Sequence, residues 1–242
     1  MSIQGLVEDA LATIEGGPVT VTAAGRTDAG VHALGQVTSA VLTHTIDTAA
    51  LRRALNAMLP ADIRVLAVQE ADERFHARFL VLAKTYRYAI WNGEVASPFD
   101  RRYTWHVPQP LAVDRMAAAA RAVEGRHDFA AFRGTGSPTA TTVRTMFAST
   151  VRIAADADRY WQSAGSTAAG ASSLGRVLVY EVTGDGFLRH MVRTIVGTLV
   201  EIGAGRRDAG EMAVALVSRD RRLSGPTAPA CGLCLAGVAY DT

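Results

Sequence analysis

The chain has 242 residues, of which 49% are hydrophobic and 20% are charged. This composition is typical of a globular protein and excludes a disordered or coiled-coil chain. The 25 basic and 23 acidic residues leave a net charge of +2, so bulk charge does not indicate a nucleic-acid partner. The sequence shows neither an apolar run of the roughly 18 residues that span a membrane nor a signal-peptide pattern, so we expect a cytoplasmic protein with no membrane partner.

Hydrophobic spacing predicts two helices and four strands before residue 92. The helices are expected at 3–15 and 48–59, and the strands at 19–24, 36–42, 63–69 and 79–91. A polar loop with glycine at both ends, 25–35, separates the first two strands. In the strand 79–91, alternation places Tyr86 and Tyr88 on the same face as Lys84, the only lysine of the chain.

Glycine, proline and charged residues at 92–112 indicate a boundary, so we expect an N-terminal lobe of residues 1–105 and a C-terminal lobe of residues 106–242. The second lobe is predicted to contain helices at 113–124, 187–203 and 208–219 and strands at 143–153, 176–183 and 233–240, with an exposed hairpin loop at 156–175. Each half combines helices with strands that can pair antiparallel. The pattern predicts an α+β protein with two similar lobes, in which an antiparallel or mixed sheet is flanked by helices.

The two cysteines, Cys231 and Cys234, form a lone Cys-Gly-Leu-Cys motif. A structural zinc site would require two more cysteine or histidine ligands at matching spacing. We therefore interpret both as structural cysteines and expect no metal.

The loop 25–35 contains the sequence Gly-Arg-Thr-Asp-Ala-Gly-Val-His-Ala, in which Asp28 is the only carboxylate. Residue types alone favour a turn, with Thr27 and Asp28 bonded to backbone amides and Arg26 on the surface. The functional interpretation is that a nearby arginine keeps Asp28 ionised, because an opposite charge favours the charged form. An ionised aspartate in a dry pocket can act as a nucleophile.

The segment AAGRTDAGVHALGQV, residues 23–37, resembles the signature of the TruA family of tRNA pseudouridine synthases. Further segments similar to motifs of that family follow in the expected order along nearly the whole chain. They are LNAMLPADI (55–63), FHARF (75–79), AKTYRY (83–88), GRHDFAAFR (125–133), VRT (143–145), FLRHMVRTIVGTLVEIG (187–203) and GPTAPACGL (225–233).

This resemblance implies the pseudouridine synthase fold, with a catalytic cleft between the two lobes. It also implies an isomerase that converts uridine to pseudouridine at positions 38, 39 and 40 in the anticodon stem-loop of tRNA. The reaction involves no redox change and no net hydrolysis, so no cofactor is expected. The expected partners are tRNA and a second copy of the chain in a homodimer, and no DNA.

The family motifs also assign roles to particular residues. Asp28 matches the catalytic aspartate, which attacks either C1′ of the ribose, by an acylal or a glycal route, or C6 of the base. Arg26 matches an arginine that would hold a phosphate or the flipped nucleotide. Tyr86 matches the tyrosine that stacks on the target base, with a strand aromatic in the core as the alternative. Arg193 matches an arginine that pairs with the catalytic aspartate, with a solvent-facing helix arginine as the alternative. Phe187 or Leu188 is a candidate apolar wall of the pocket.

Other basic residues within or near these motifs are candidates for RNA phosphate contacts, with ordinary surface charge as the alternative for each. They are Arg78, Lys84, Arg87 and Arg133. Four histidines of the motifs are interpreted as structural or RNA-facing, and they are His32, His76, His127 and His190.

Members of the family usually begin with a strand and a segment resembling YDG-x-x-F-x-GWQ, neither of which precedes the helix 3–15 here. We expect this to reflect a misassigned start, a truncation or a true loss. A catalytically weak tRNA-binding or folding-helper protein is therefore the alternative function. A carboxylate glycoside hydrolase is a third hypothesis, but it would need a second acidic residue in the pocket.

Overall fold

A computed structural model describes residues 2–136, 139–155 and 175–241. The hairpin loop predicted at 156–175 lies outside these residues, apart from residue 175. The chain forms two compact units. Unit 1 comprises Met1–Arg26, Gln36–Val81 and Tyr240–Thr242, and unit 2 comprises Thr27–Gly35 and Leu82–Ala239. Unit 2 includes residues on both sides of the boundary expected after residue 105, and the division into two similar lobes stays a prediction.

Helices and strands are interspersed along the chain. The helices are α1 (Ile3–Glu15), α2 (Thr48–Met58), α3 (Val113–Arg121), α4 (Met191–Gly203) and α5 (Glu211–Ser218). The strands are β1 (Thr22–Ala23), β2 (His32–Ala33), β3 (Thr38–Ser39), β4 (Val81–Asn92), β5 (Trp105–Val107), β6 (Gly125–Asp128), β7 (Val143–Ile153), β8 (Arg176–Gly184) and β9 (Leu233–Tyr240). The predicted α+β class is confirmed.

Unit 1 is built on the two predicted helices α1 and α2. The side chain of Ser2 caps the start of α1 by accepting from the Gly5 amide, and α1 ends at Gly16, whose φ of 74° is a left-handed conformation that favours glycine. Asp47 caps α2 in the same way. The buried core between the helices is aliphatic, and it consists of Ala10, Leu11, Val19, Val21, Leu51, Leu55 and Leu59.

The strand predicted at 63–69 is wrong, because no residue of that range lies in a strand. The side-chain amide of Asn56 on α2 accepts from the Val65 amide and donates to the Val65 carbonyl, both at 2.8 Å. The predicted strand 19–24 shortens to β1 for a similar reason, because Glu8 and Gln4 of α1 bond the Val21 amide and carbonyl. Helix side chains thus satisfy backbone groups that a neighbouring strand would otherwise bond.

Unit 2 contains a mixed sheet, which has seven strands in the part of the chain that the structure describes. Its order is β2-β9-β4-β8-β7-β6, with β5 paired to β4. Strands β4 and β8 pair antiparallel along their length, with Tyr86 opposite Val182 and Tyr88 opposite Tyr180. Strand β2, from the glycine-flanked loop, adds parallel to β9. The loop is therefore tied to the sheet directly after Asp28.

Helix α4 is buried on nearly every side within unit 2. Met191, Ile195, Leu199 and Ile202, which recur at helical spacing, are all 0% exposed, and α3 packs against this helix. The predicted start at residue 187 is wrong by four residues. The chain turns at His190, whose φ of 60° does not belong to a right-handed helix, so α4 begins at Met191.

One smaller expectation also changes. Helix α5 spans Glu211–Ser218 rather than 208–219. The Glu211 carboxylate accepts from the Asp208 amide, whereas the Asp208 side chain accepts from Arg115. Cys231 and Cys234 are free thiols, and only Cys234 lies within β9.

Candidate active site

Asp28 opens a tight turn in unit 2. The Val31 amide donates to the Asp28 carbonyl at 3.1 Å, and Gly30, at the third position, has a φ of 80° that favours glycine. The turn leads directly into β2. The Asp28 side chain is 32% exposed, so it is accessible from solvent while remaining partly shielded from water.

Arg193 of α4 pairs with this carboxylate. Its Nη1 atom donates to Asp28 Oδ2 at 3.2 Å, and its side chain is only 16% exposed. The pairing expected from the motif match is confirmed. An opposite charge at this distance favours the ionised form of a carboxylate.

His190 is a second neighbour of Asp28 that sequence reasoning did not assign. Its Nε2 atom lies 3.3 Å from Asp28 Oδ2, the same oxygen that Arg193 contacts. Among the described residues, the other oxygen, Oδ1, has no hydrogen-bond or ion-pair partner. One oxygen of Asp28 is thus held while the other is available to a substrate. The signal in the sequence was the three-residue spacing of His190 and Arg193, but the left-handed backbone at His190 was not foreseeable.

The Arg193 guanidinium is fixed by a segment that lies directly against α4. Its Nε atom donates to the Ala228 carbonyl at 2.7 Å, and the Ala228 amide donates back to the Arg193 carbonyl at 3.0 Å. This close approach requires glycine on the helix, because a Cβ at Gly197 would lie 1.7 Å from the Pro226 carbonyl oxygen. The motifs FLRHMVRTIVG and GPTAP therefore meet to hold one guanidinium.

Tyr86 lies close enough to Asp28 for the two groups to interact electrostatically. Burial, followed by the negative charges of Asp28 and Cys234, raises the pKa of Tyr86 to about 12. The phenol is therefore neutral at physiological pH. Phe187 packs edge-on against it, with ring centroids 4.9 Å apart, and its role as a wall of the pocket stays a prediction.

Tyr88, two residues further along β4, has a structural position. It is fully buried, and its hydroxyl donates to the Pro229 carbonyl at 2.7 Å. Burial raises the pKa of Tyr88 above its ordinary value. The two tyrosines on one strand face therefore have different surroundings, since Tyr86 faces the carboxylate and Tyr88 supports the segment that fixes Arg193.

The remaining predicted residues are dispersed. Arg26 belongs to unit 1 and is exposed, as is Arg78, whose guanidinium lies 5.9 Å from the Phe79 ring centroid. Arg133 is exposed in unit 2. Lys84 is half-buried, and Arg87 forms an ion pair with Glu181 on the opposite strand. Only Asp28, Tyr86 and Arg193 of the predicted site residues are shown together.

The described part of the chain contains no group of three side chains that could hold a metal ion. Within that part, none of the helices has the length and apolar character that crossing a membrane requires.

Comparison with known proteins identifies the class to which this fold and site belong. A family model described as "tRNA pseudouridine synthase" matches residues 1–80 and 119–241. The chain is 43% identical over 240 residues to the tRNA pseudouridine synthase A of Syntrophotalea carbinolica, covering 99% of this chain and 87% of that protein. Proteins of the same name from Solibacter usitatus and Geobacillus kaustophilus are 43% and 42% identical, with 99% of this chain and 90% and 86% of theirs covered. The chain belongs to the tRNA pseudouridine synthase family.

Proposed function

We propose that this protein is an isomerase that converts uridine to pseudouridine in tRNA, with Asp28 as the nucleophile. The observation that carries the proposal is the asymmetry of the Asp28 carboxylate. Arg193 and His190 both contact Oδ2, which leaves Oδ1 for a reacting carbon. Family membership and the names of the relatives support tRNA as the substrate.

The reaction breaks the N1–C1′ bond of uridine and forms a C5–C1′ bond, while C5 loses a proton and N1 gains one. Atoms and electrons balance without an oxidant or a reductant. Asp28 would attack C1′, by an acylal route, or C6 of the base; in a glycal route it would instead take the C2′ proton as a base. The target must leave the base stack to reach the carboxylate. The family motif supports Tyr86, whose ring is neutral and only 8% exposed, as the residue that stacks on it.

The finer parts of the proposal follow from the family resemblance. They are the anticodon stem-loop with positions 38, 39 and 40, the cytoplasmic location and the homodimer. Arg26 is proposed to hold a phosphate or the flipped nucleotide, and Arg78, Lys84, Arg87 and Arg133 stay candidates for RNA contacts. The Glu181 ion pair makes Arg87 the weakest of these candidates, because binding a phosphate would require breaking that pair.

The test is pseudouridine formation in an unmodified tRNA transcript with uridine at positions 38, 39 and 40. We expect product from the wild type and none from Asp28→Asn, because a neutral amide does not attack carbon. The affinity for tRNA should change by no more than a few-fold. Asp114→Asn, an exposed carboxamide substitution on α3, is the matched control and should react like the wild type.

Each outcome has a defined meaning. Turnover by Asp28→Asn would overturn the nucleophile assignment. Absence of product from the wild type, with tRNA binding intact, would favour the tRNA-binding helper instead. Transcripts with cytidine at one position at a time show which uridines react, and sedimentation of the wild type tests the dimer.

A further inference from the structure

A short surface turn next to the Asp28 loop combines arginine and aromatic side chains. This basic–aromatic turn consists of residues 98–103, with the sequence PFDRRY. Its conformation is fixed by local hydrogen bonds, since the amides of Tyr103 and Thr104 both donate to the Asp100 carbonyl, at 2.9 and 3.0 Å. Thr104 is buried, so the turn is anchored in unit 2.

The side chains of the turn point to a ligand outside the chain. Phe99 is 87% exposed and Tyr103 is 40% exposed. Arg101 and Arg102 are exposed, and within the described ranges neither side chain has an ion pair or a hydrogen bond. A single exposed phenylalanine is ordinary on a protein surface. Here two unpaired guanidinium groups follow the exposed phenylalanine in the chain. Guanidinium groups bind phosphates and stack on bases.

The turn is physically linked to the loop that carries Asp28. His32, four residues after Asp28, has its Nε2 atom 2.8 Å from the Arg102 carbonyl oxygen, to which it donates as the Nε2–H tautomer. The same imidazole packs on Tyr103, with ring centroids 4.9 Å apart. The turn is therefore in direct contact with the loop that carries Asp28.

We infer that the basic–aromatic turn binds single-stranded RNA beside the reacting uridine, with Phe99 stacked on an unpaired base and Arg101 and Arg102 on phosphates. Exposed aromatic rings stack on bases only where the bases are unstacked from one another. Flipping a uridine into a pocket creates such bases next to it. The inference rests on the proposed function, because it takes the tRNA substrate as the ligand.

Phe99→Ala tests the stacking contact, and Phe147→Ala is its control, since Phe147 is 56% exposed on β7. The probe is the unmodified tRNA transcript, and its dissociation constant is measured over a range of salt concentrations. We expect Phe99→Ala to weaken binding by about 5-fold or more, which is the lower end for one stacked base. Phe147→Ala should bind like the wild type.

The double variant Arg101→Ala/Arg102→Ala tests the phosphate contacts. Its control, Arg121→Ala/Arg126→Ala, removes the same charge from two other exposed positions of unit 2. Loss of two single-strand phosphate contacts should lower the slope of log affinity against log salt by about 1.4. The control should leave the slope nearly unchanged.

Equal losses in the arginine pair and its control would mean that net charge alone acts, and would overturn the inference. Wild-type affinity in Phe99→Ala would also overturn it. Pseudouridine formation by the wild type is measured separately. Product from the wild type together with unchanged tRNA binding in these variants would refute the binding turn and leave the proposed function standing.

Discussion

The Asp28 loop and helix α4 contribute to the same site with opposite physical properties. The loop is a partly exposed turn whose shape depends on Gly30 and on one backbone hydrogen bond. Helix α4 is buried on nearly all sides and lies directly against the segment 225–228 at Gly197. The proposed nucleophile thus lies on the less constrained of the two elements, whereas the cation that contacts it comes from the more constrained one.

This division has a physical reason. A nucleophile must meet a substrate that enters from solvent, so a loop suits it. Its orientation must nevertheless be fixed closely, because a small misplacement of a reacting group is costly in rate. Two hydrogen bonds between Arg193 and Ala228 fix the position of the Arg193 guanidinium relative to α4. The guanidinium in turn contacts Asp28 Oδ2 and limits the orientations of the carboxylate.

Removing the rigid partner should have the largest effect. We expect Arg193→Ala to lower kcat by about 100-fold, because the carboxylate loses the group that orients it, with a much smaller change in KM. Arg193→Lys should recover only part of the rate, since one ammonium cannot contact both Ala228 and Asp28 in the geometry of a guanidinium. Single-turnover rates at saturating tRNA measure both variants.

The control for this prediction is thermal unfolding of the same variants. A kcat loss in Arg193→Ala that follows a loss of folded protein would indicate a purely structural residue. A wild-type rate in a folded Arg193→Ala would remove α4 from the mechanism.

His190 allows stability and activity to be separated. Its left-handed backbone is unfavourable for a residue with a Cβ. His190→Gly should therefore raise the free energy of unfolding by up to about 1 kcal/mol, while lowering kcat by about 10-fold through loss of the contact with Asp28. His190→Gln, which can place an N–H near the position of Nε2, should restore part of the rate.

Arg219 provides the matched control. It is the other non-glycine residue with a left-handed backbone in the described part of the chain, at the end of α5. Arg219→Gly relieves the same backbone cost but leaves Asp28 untouched, so its kcat should match that of the wild type. A His190→Gly variant with wild-type kcat would show that the imidazole has no positioning role.

The two regions also differ in how far the sequence predicts them. The apolar spacing of α4 identifies its buried residues, and strands β7 and β9 have the predicted bounds, because long regular patterns of burial leave little choice of structure. Unit 1 is harder, since its extended segments bond to Gln4, Glu8 and Asn56 rather than to strands. Hydrogen bonds from such side chains to an extended segment produce no periodic pattern of hydrophobic residues in the sequence.

The site shows the same contrast. Asp28 is conspicuous in a loop of small residues, yet its residue type alone is equally compatible with a simple turn. Its partner Arg193 lies 165 residues away, and no local pattern connects them. That pair was predictable from resemblance to a family, whereas the His190 contact depends on a backbone conformation that only the fold reveals.

The smallest expected effect is a change in the pKa of Tyr86, which tests whether the charge of Asp28 acts on the Tyr86 phenol. Burial and the Asp28 charge raise the pKa of Tyr86 to about 12. Asp28→Asn removes the second cause, so the phenol should ionise at a lower pH than in the wild type, though still above an exposed tyrosine. Spectrophotometric titration of the phenolate measures this, and Tyr86→Phe in each background identifies the signal of Tyr86.

The same shift has a consequence for stability. Because folding raises this pKa above its unfolded value near 10, the stability that a neutral Tyr86 contributes is complete below about pH 10 and is lost as the pH rises through 12. In the Asp28→Asn variant, the stability contributed by neutral Tyr86 should be lost completely at a lower pH than in the wild type. An identical Tyr86 titration with and without the Asp28 charge would mean that the carboxylate does not act on the ring, and the stacking surface assigned to Tyr86 would then lie apart from the nucleophile.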